Sequence, residues 1–553
     1  MEERVARAAD LRDGELREVE VGGKKCLLLS CDGELRAFGA HCTHYDGPLA
    51  KGLLHDGRLV CPWHQGAFDA RTGDLLEPPP LSGLTPFDVR VESGDVYVDR
   101  PDDAPRQRAM AMAGREPGDE RTFVVLGGGA AGAAAVEGLR QHGFAGRIVL
   151  VVREGRRPYD RPNLTKDYLA GSATADWLPL RPASFYEKHA IELLEAEVTS
   201  LDAATRRLAF ADGTSMTPDA VLVCTGATAR RLDAPGSDLP GVFTLRSWSD
   251  CDAIIAAAQS ALHGGSRNTD KAATQNADKA AVRGTDKAAV QGTARAIVVG
   301  ASFIGMETAA SLRERGLEVT VVAPDETPLA AQLGPQVGAF LRARHEDRGV
   351  RFRLGRTIAG FDGEDRVRAA QLDDGSRLDA DLVIVGVGVE PATAFVTNAA
   401  RGADQSLEVD DQLRVNGHGV WAAGDVASYP EPHVGGRARI EHWRLAEQMG
   451  RAAAASMAGK GTPFAGVPAF WTQQFGLRVV SVGVSRGWDD SFAVGDVAGG
   501  DFTVFFARGD VLVAAAGTRD LDLAAFSELM RADRLPRPGD LRGRDDAGLA
   551  RLL

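Results

Sequence analysis

Two cysteines and two histidines near the amino-terminal end of this 553-residue chain have the spacing of metal ligands. Cys42 and His44 are separated by one residue, and Cys61 and His64 are separated by two. Two thiolates and two imidazoles suit a tetrahedral zinc ion, and they also suit a [2Fe–2S] cluster in which histidines replace the cysteines on one iron. The donor types alone leave both kinds of site open.

The sequence around these four residues resembles the Rieske iron–sulfur family. The resemblance rests on the string HCTHYDGPLAKGLLHDGRLVCPWHQGAFDARTG, in which each ligand pair is followed closely by a glycine. It implies two facing hairpin loops, with Cys42 and Cys61 on one iron and His44 and His64 on the other. The resemblance therefore favours a [2Fe–2S] cluster over zinc.

Two positions in this string depart from the Rieske proteins of the respiratory and photosynthetic complexes, which add a cysteine to each loop. Gly47 and Trp63 occupy those places here, so no disulfide between the loops is expected. The departure resembles the ferredoxin-like Rieske subclass, for which we expect a potential toward the lower end of about −150 to +300 mV.

A glycine-rich motif further along the chain predicts a dinucleotide site. Gly127, Gly129 and Gly132 follow a predicted strand and begin a predicted helix, so that backbone amides can approach a pyrophosphate. The next strand, RIVLVV, leads to Glu154, whose carboxylate can accept hydrogen bonds from a ribose.

A second motif of this kind contains Gly300, Ser302 and Gly305, with a small serine at the middle position. The strand VTVV that follows it runs into Ala323, where NAD-binding units usually carry an acidic residue. No arginine stands beside Ala323 to bind a 2′-phosphate, and the acidic residues 325–326 can substitute as ribose ligands. This pattern favours NADH over NADPH.

Two such units in one chain resemble the two-dinucleotide flavoprotein reductases. The segments PYDRPNLTK, VCTGA, VGVGVEP and VWAAGDVAS carry the resemblance beyond the glycine motifs. It implies that the first unit binds FAD, with Gly226, Gly424 and Asp425 among its contacts. It also implies that the second unit is inserted into the first and binds a nicotinamide cofactor.

The reaction class follows from which catalytic motifs of these reductases are present. The first helix region has no cysteine pair, which excludes dithiol chemistry as the main reaction. PYDRPNLTK resembles the ferredoxin-reductase branch, in which Arg161 would help to bind FAD and Lys166 would point toward the flavin. Glu307 resembles the glutamate that pairs with this lysine.

The segment PAFWTQQFG resembles one that carries a tryptophan at the flavin edge. Trp471 is therefore a candidate electron exit, with core packing as its alternative role.

The elements that must position these residues predict a multidomain protein. We expect a small all-β Rieske domain, two Rossmann-type α/β dinucleotide-binding domains for FAD and NAD, and a C-terminal α+β reductase domain. The expected boundaries are 1–100 for the Rieske domain, 101–120 for a linker, 121–235 and 388–465 for the two parts of the FAD-binding domain, 236–387 for the NAD(P)-binding domain with a flexible insertion at 265–293, and 466–553 for the C-terminal domain. The insertion contains imperfect polar octads such as NTDKAATQ, which bury little apolar surface.

Composition argues against several other classes of protein. A formal net charge of −13 disfavours binding to nucleic acid, which requires a basic face. No run of about 18 apolar residues predicts a membrane span, and the charged amino terminus lacks a signal-peptide core, so we expect a cytoplasmic protein. Four of the six cysteines lie within the first 61 residues, a distribution that suits a local metal site better than a disulfide framework.

Together the motifs predict an NADH-dependent flavoprotein that passes electrons through FAD and the cluster to an unidentified one-electron acceptor, such as a redox protein. The whole arrangement resembles the Rieske-containing apoptosis-inducing-factor-like proteins. An NADH-responsive redox sensor or signalling flavoprotein with little turnover is the alternative. A Rieske oxygenase is disfavoured, because the remaining histidines show no clustering of the kind that holds a mononuclear iron.

Overall fold

The structure is a computed structural model that describes residues 1–265, 294–417 and 419–553. The insertion was predicted at 265–293, and its residues 266–293 lie outside the described residues. In the part of the chain that is described, no helix is long and apolar enough to cross a membrane.

The first 100 residues form two antiparallel sheets, which confirms the predicted all-β domain. The strands are β1 (Glu2–Arg7), β2 (Leu16–Val21), β3 (Lys24–Cys31), β4 (Glu34–Gly39), β5 (Leu53–His55), β6 (Arg58–Val60), β7 (Ala67–Asp69), β8 (Leu75–Glu77), β9 (Pro86–Glu92) and β10 (Asp95–Asp99). The larger sheet has the order β1-β10-β9-β4-β3-β2, and the smaller sheet has the order β5-β6-β7-β8. The smaller sheet and the loop before it carry the predicted metal ligands.

Two-residue turns close four of these hairpins. The turns are Gly22–Gly23, Asp32–Gly33, Asp56–Gly57 and Ser93–Gly94, and all eight residues have φ between 47° and 83°. Two consecutive positive φ angles define the type I′ turn, whose twist matches that of the flanking strands. These dipeptides therefore fix the strand register in a domain built from short elements.

The chain then forms two α/β units, one inside the other. The first unit begins with β11 (Thr122–Leu126), α1 (Ala130–Gln141), β12 (Arg147–Val152), α2 (Asp167–Ala170), α3 (Ala183–Lys188), β13 (Ile191–Glu195), β14 (Val198–Asp202), β15 (Arg207–Phe210), β16 (Ser215–Met216), β17 (Ala220–Val223) and β18 (Ala227–Ala229). The second unit consists of β19 (Val242–Thr244), α4 (Trp248–Gly265), β20 (Arg295–Val299), α5 (Phe303–Glu314), β21 (Glu318–Ala323), α6 (Ala330–Asp347), β22 (Arg351–Leu354), β23 (Ile358–Gly363), β24 (Val367–Leu372), β25 (Arg377–Asp379) and β26 (Leu382–Val385). The first unit resumes with β27 (Val389–Pro391), β28 (Val396–Thr397), β29 (Leu407–Glu408), β30 (Arg414–Asn416), β31 (Val420–Ala422), β32 (Ala427–Pro430), β33 (Arg437–Ala438) and α7 (Trp443–Met457).

The sheet order shows the insertion directly. The first unit has a sheet with the order β13-β12-β11-β17-β31-β30, and the second has an all-parallel sheet with the order β19-β26-β20-β21-β22. Strand β31 pairs with β17 although the whole second unit separates them in sequence. Small residues let α1 and α7 pack closely, because a side chain on Gly450 would collide with the backbone of Ala131.

The C-terminal region forms one antiparallel sheet covered by a helix. Its elements are β34 (Ala469–Gln474), β35 (Leu477–Gly483), β36 (Asp490–Asp496), β37 (Asp501–Arg508), β38 (Val511–Gly517), α8 (Asp520–Arg531) and α9 (Pro538–Leu541), and the sheet order is β34-β35-β38-β37-β36. Its core continues into the amino-terminal domain, because Leu53, Val60 and Ala67 belong to the same buried cluster as Phe505 and Phe526. These two domains therefore share a hydrophobic core.

Residues 101–120, predicted as a linker, contain no helix or strand and pack against the domains on both sides. Arg108 and Gly83 exchange backbone hydrogen bonds of 2.9 and 3.0 Å. The amide of Ala113 donates to the carbonyl of Arg140 in α1 at 2.8 Å. The segment is thus held to the first α/β unit as well as to the amino-terminal domain.

Candidate functional site

Two loops of matching backbone structure carry the predicted metal ligands. Cys42 lies in the loop between β4 and β5, and Cys61 lies in the loop between β6 and β7. In each loop the cysteine amide donates to a glycine carbonyl five residues later, from Cys42 to Gly47 and from Cys61 to Gly66, both at 2.8 Å. The two loops therefore present their ligands in the same way.

The loops bring the four predicted ligands together as a thiol pair and an imidazole pair. The Nδ1 atoms of His44 and His64 lie 3.1 Å apart. A hydrogen bond between the thiols raises the pKa of Cys42 and lowers that of Cys61. A side chain on Gly47 would place its Cβ only 2.7 Å from the sulfur of Cys61, so the loops close tightly around this space.

This donor set fits a [2Fe–2S] cluster. Each iron of such a cluster takes two protein ligands, whereas a structural zinc ion takes four that converge on one point. Across residues 1–265, 294–417 and 419–553, no three His, Cys, Asp or Glu side chains converge as they would on a single ion. Burial lowers the pKa of His44 to about 3 and the pKa of His64 well below its usual range, so both imidazoles are neutral, as ligation requires.

Two adjoining cavities border the first α/β unit, and residues of the second unit also line both of them. The smaller has a volume of about 230 Å³ and the larger about 800 Å³. Gly129 and Arg161 line both cavities, and so do Cys224, Gly226 and Arg246. An elongated ligand can therefore extend from one into the other.

The first glycine motif borders the larger cavity at the start of α1. Gly127 has φ 116°, and a Cβ on Gly132 would lie 1.9 Å from the carbonyl oxygen of Gly127. Gly129, the residue before α1, has no neighbouring atom within 4 Å of its Cβ position and faces open space. This backbone fits a pyrophosphate at a helix amino terminus.

Glu154 lies at the wall of the larger cavity and is held in place by two donors. Tyr159 Oη donates to Glu154 at 2.6 Å, and Arg161 Nη2 donates to it at 3.0 Å. Burial raises the pKa of Glu154, but the charge of Arg161 and these hydrogen bonds lower it by more than burial raises it. The pKa is therefore below its usual value, and the carboxylate is ionised. An ionised carboxylate at this position fits a ribose.

The predicted FAD contacts Gly226, Gly424 and Asp425 line the smaller cavity. Arg246, which the sequence analysis missed, joins them because its Nη2 donates to Asp425 Oδ2 at 2.8 Å. His442 also lines this cavity, and its buried Nδ1 has no hydrogen-bond partner among the described residues. An unpartnered buried nitrogen in a residue that lines the cavity fits a bound polar cofactor.

The predicted pair of Lys166 and Glu307 meets at the edge of the smaller cavity. Lys166 Nζ lies 2.6 Å from Glu307 Oε2, which also accepts from Thr165 Oγ1 at 2.5 Å. The other carboxylate oxygen accepts from Thr472 Oγ1 at 2.6 Å. Three donors thus hold a carboxylate that is only 4% exposed. Sequence analysis missed both threonines, although each is adjacent to a predicted site residue.

Trp471 stands between this cavity and the metal-ligand loops. It lines the cavity together with Lys166 and Glu307. Its ring centroid is 4.2 Å from that of His64 and 6.1 Å from that of His44. One aromatic side chain therefore contacts the imidazole pair and also borders the cavity.

Tyr45, the residue after His44, makes a second connection that the sequence analysis missed. Its hydroxyl donates to Asp160 Oδ2 at 2.5 Å and accepts from Asn163 Nδ2 at 2.7 Å. Both partners belong to the PYDRPNLTK segment beside the cavities. The first ligand loop is thereby anchored on the first α/β unit.

The second glycine motif has the same geometry as the first. A Cβ on Gly305 would lie 2.0 Å from the carbonyl oxygen of Gly300, and Ser302 is the residue before α5. Strand β21 ends at Ala323, as predicted.

The structure also brings Arg356 to the end of this strand. The amide of Arg356 donates to the carbonyl of Ala323 at 3.0 Å, and its side chain pairs with Asp374. The sequence analysis missed this arginine because it follows the neighbouring strand rather than β21 itself.

Comparison with known proteins assigns a family to each part of the chain. Residues 121–450 match the family model of pyridine nucleotide-disulphide oxidoreductases, residues 2–88 match the Rieske [2Fe-2S] domain, and residues 469–547 match the reductase C-terminal domain. Apoptosis-inducing factor 3 of Homo sapiens is 33% identical over 97% of this chain and 85% of its own length. Rhodocoxin reductase of Rhodococcus erythropolis is 32% identical over 71% of this chain and 85% of its own length.

Two solved structures are similar to most of this chain. The ferredoxin reductase for the CYP199A2 system from Rhodopseudomonas palustris matches with a TM-score of 0.69 at 29% identity, over 78% of this chain and 100% of that chain. The reductase of the covalent putidaredoxin reductase–putidaredoxin complex matches with a TM-score of 0.69 at 27% identity, over 78% of this chain and 98% of that chain.

Proposed function

Since this chain belongs to the pyridine nucleotide-disulphide oxidoreductase family and carries a Rieske [2Fe-2S] domain, we propose that it moves electrons from NADH, by way of FAD, to a cluster within the same chain. The predictions of a ferredoxin-reductase-type enzyme and of FAD, NAD(P)H and [2Fe–2S] as its cofactors are confirmed by the family matches and the related reductases. The zinc alternative is therefore rejected. The electron route, the choice of NADH and the residue roles below are our proposal.

The observation that carries the proposal is the position of Trp471. Its ring borders the cavity that fits the flavin, and its centroid is 4.2 Å from that of His64. FAD supplies hydride acceptance and single-electron release when it is bound, and the cluster supplies one-electron storage. Trp471 shortens the gap between the flavin cavity and the cluster ligands, so an electron can pass without a rearrangement of the domains.

The other site residues bind and orient the cluster, FAD and the nicotinamide dinucleotide. Cys42 and Cys61 would hold one iron of the cluster, and His44 and His64 would hold the other. The glycines at 127, 129 and 132 admit the FAD pyrophosphate, Glu154 holds its ribose, and Arg161, Gly226, Gly424 and Asp425 line the rest of the cavities. The corresponding residues Gly300, Ser302 and Gly305 admit the nicotinamide dinucleotide.

Lys166 and Glu307 set the charge beside the reacting part of the cavity. Glu307 is held by three donors, so it fixes the Lys166 ammonium in one place. A fixed positive charge stabilises negative charge that develops next to it without any reorganisation of solvent. We infer that the pair orients the cofactors and takes no part in proton transfer.

The acceptor outside the chain is proposed to be a one-electron redox protein. Several relatives are named as ferredoxin reductases, and one related structure is a complex with putidaredoxin. A sensor with little turnover is the alternative, and it predicts a single reduction by NADH with no cycling.

Anaerobic mixing with NADH tests the proposal. Absorbance follows the flavin, and low-temperature EPR follows the cluster, in the full chain and in Trp471→Leu. We expect NADH to reduce the wild-type cluster and Trp471→Leu to slow this step more than it slows flavin bleaching. Trp177→Leu is the control, because Trp177 is 63% exposed and lines neither cavity. A wild-type cluster that stays oxidised while the flavin bleaches would refute the route.

A further inference from the structure

A buried arginine joins the first α/β unit to the amino-terminal domain and to the segment that leads into the C-terminal domain. Arg444 lies in the first turn of α7, is 1% exposed and lines the smaller cavity. Its Nε donates to the carbonyl of Pro78 at 3.0 Å, and its Nη2 donates to that of Gln65, also at 3.0 Å. Its Nη1 donates to the carbonyl of Val467 at 3.2 Å.

These three carbonyls belong to the parts that an electron must cross. Gln65 directly follows the cluster ligand His64 in the second ligand loop. Pro78 follows β8 in the same domain. Val467 lies two residues before β34, the strand that carries Trp471. One guanidinium therefore contacts the second ligand loop, the segment leading to the tryptophan and the flavin cavity.

Arginine has the chemistry that this position requires. Its guanidinium presents five N–H donors in a rigid plane, so three bonds in different directions fix three backbones relative to one another. Burial lowers the pKa of Arg444 to about 10, partly opposed by the charge of Glu77, and the side chain stays protonated at neutral pH. The carboxylate of Glu77 lies 3.7 Å away and also accepts from Gln448 at 2.6 Å.

We propose that Arg444 is the positioning residue that sets the separation of the flavin cavity, Trp471 and the cluster. The proposal rests on the proposed function and adds to it the group on which the transfer distance depends. Electron transfer between fixed sites slows steeply as their separation grows. Loss of the three hydrogen bonds frees the second ligand loop to move away from Trp471.

Arg451 provides a matched control on the same helix. It lies seven residues after Arg444, and its Nη2 donates to the carbonyl of Leu75 in the Rieske domain at 3.3 Å. It therefore makes a hydrogen bond across the same domain boundary. None of its described hydrogen bonds reaches the ligand loop or the segment before β34.

The experiment compares Arg444→Met, Arg444→Lys and Arg451→Met in the full, cofactor-loaded chain. Stopped-flow absorbance gives the rate of flavin reduction by NADH and the rate of subsequent cluster reduction. Hydrogen exchange of residues 61–83 before NADH is added reports on the ligand loop independently of activity. EPR of the reduced protein verifies that the cluster is present.

We expect Arg444→Met to slow cluster reduction on the order of tenfold or more relative to flavin reduction, because small displacements of reacting groups have large effects on rate. Its ligand-loop amides should exchange faster than in the wild type. Arg444→Lys should lie between, since lysine keeps the charge but not the planar set of donors. Arg451→Met should keep the wild-type ratio of the two rates and the wild-type exchange of the ligand loop.

An Arg444→Met protein with the wild-type rate ratio and wild-type loop protection overturns the proposal. If Arg444→Met does not fold, Arg444→Lys decides, and a wild-type ratio in that variant also overturns it. Equal effects of Arg444→Met and Arg451→Met would assign the arginines to general domain docking and would equally overturn it. Failure of the proposed function is distinguishable, because it appears in the wild type as a cluster that NADH does not reduce.

Discussion

Replacing Glu307 by glutamine tests the buried charge pair at the flavin cavity. Glutamine preserves the shape of the side chain: its amide oxygen can accept a hydrogen bond from one of Thr165 and Thr472, and its NH2 group can donate to the hydroxyl oxygen of the other. It removes the negative charge that compensates Lys166, whose side chain is only 12% exposed. The variant therefore isolates the contribution of charge from that of packing.

The structure sets the magnitude of this effect. Removing one partner of a buried ion pair costs about 3 to 5 kcal/mol when all of its contacts are lost. Glutamine keeps hydrogen bonds to the two threonines, each worth about 1 kcal/mol. We therefore expect Glu307→Gln to lower the free energy of unfolding by about 1 to 3 kcal/mol. We also expect kcat/KM for NADH to fall, because Lys166 loses its fixed position.

Urea unfolding of the FAD-loaded protein, followed by flavin fluorescence, measures the change in stability. Glu318→Gln is the matched control, because Glu318 pairs with Arg351 at 3.2 Å but the two side chains are 45% and 64% exposed. An exposed pair of this kind contributes about 0 to 1 kcal/mol. Equal shifts of the urea midpoint in the two variants would refute the reasoning, since the buried pair would then contribute no more than the surface pair.

Three further predictions concern the cluster and the choice of cofactor. The double change Cys42→Ser and Cys61→Ser should leave FAD binding and hydride transfer nearly normal but slow cytochrome c reduction severalfold, and a wild-type rate in protein shown to lack iron would contradict the electron route. His64→Cys should convert or abolish the Rieske EPR spectrum, because imidazole ligation of one iron produces that spectrum, whereas stoichiometric zinc without acid-labile sulfide in the wild type would contradict the cluster assignment. NADH should be preferred over NADPH because β21 ends at Ala323 and no arginine follows it directly in the sequence to bind a 2′-phosphate. A preference of more than about tenfold in kcat/KM for NADPH would point instead to Arg356 as the 2′-phosphate ligand.

The parts of the site that the sequence predicted depend on local backbone structure. Glycine is needed at position 132 because a Cβ there would lie 1.9 Å from the carbonyl oxygen of Gly127, a constraint confined to six residues. The ligand pairs at 42–44 and 61–64 likewise lie within single short loops. Such patterns are visible in a linear sequence because all of the constrained atoms belong to one segment.

The residues that sequence analysis missed act over long separations. Thr472 contacts Glu307 across 165 positions, and Tyr45 contacts Asn163 across 118. Arg444 reaches Gln65 across 379 positions. A threonine, tyrosine or arginine in isolation resembles an ordinary surface or core residue, and only the packing of the domains gives it a partner.

The hydrophobic core shared by the amino-terminal and C-terminal domains determines which pieces of this protein can exist separately. Leu53, Val60 and Ala67 lie in one apolar cluster with Phe505 and Phe526, so a chain shortened to start after the linker would expose part of that cluster to water. Cutting the chain between residues 101 and 120 should therefore leave two fragments that remain associated. A soluble ferredoxin could not simply replace the missing domain, because the substitute would also have to cover this apolar surface.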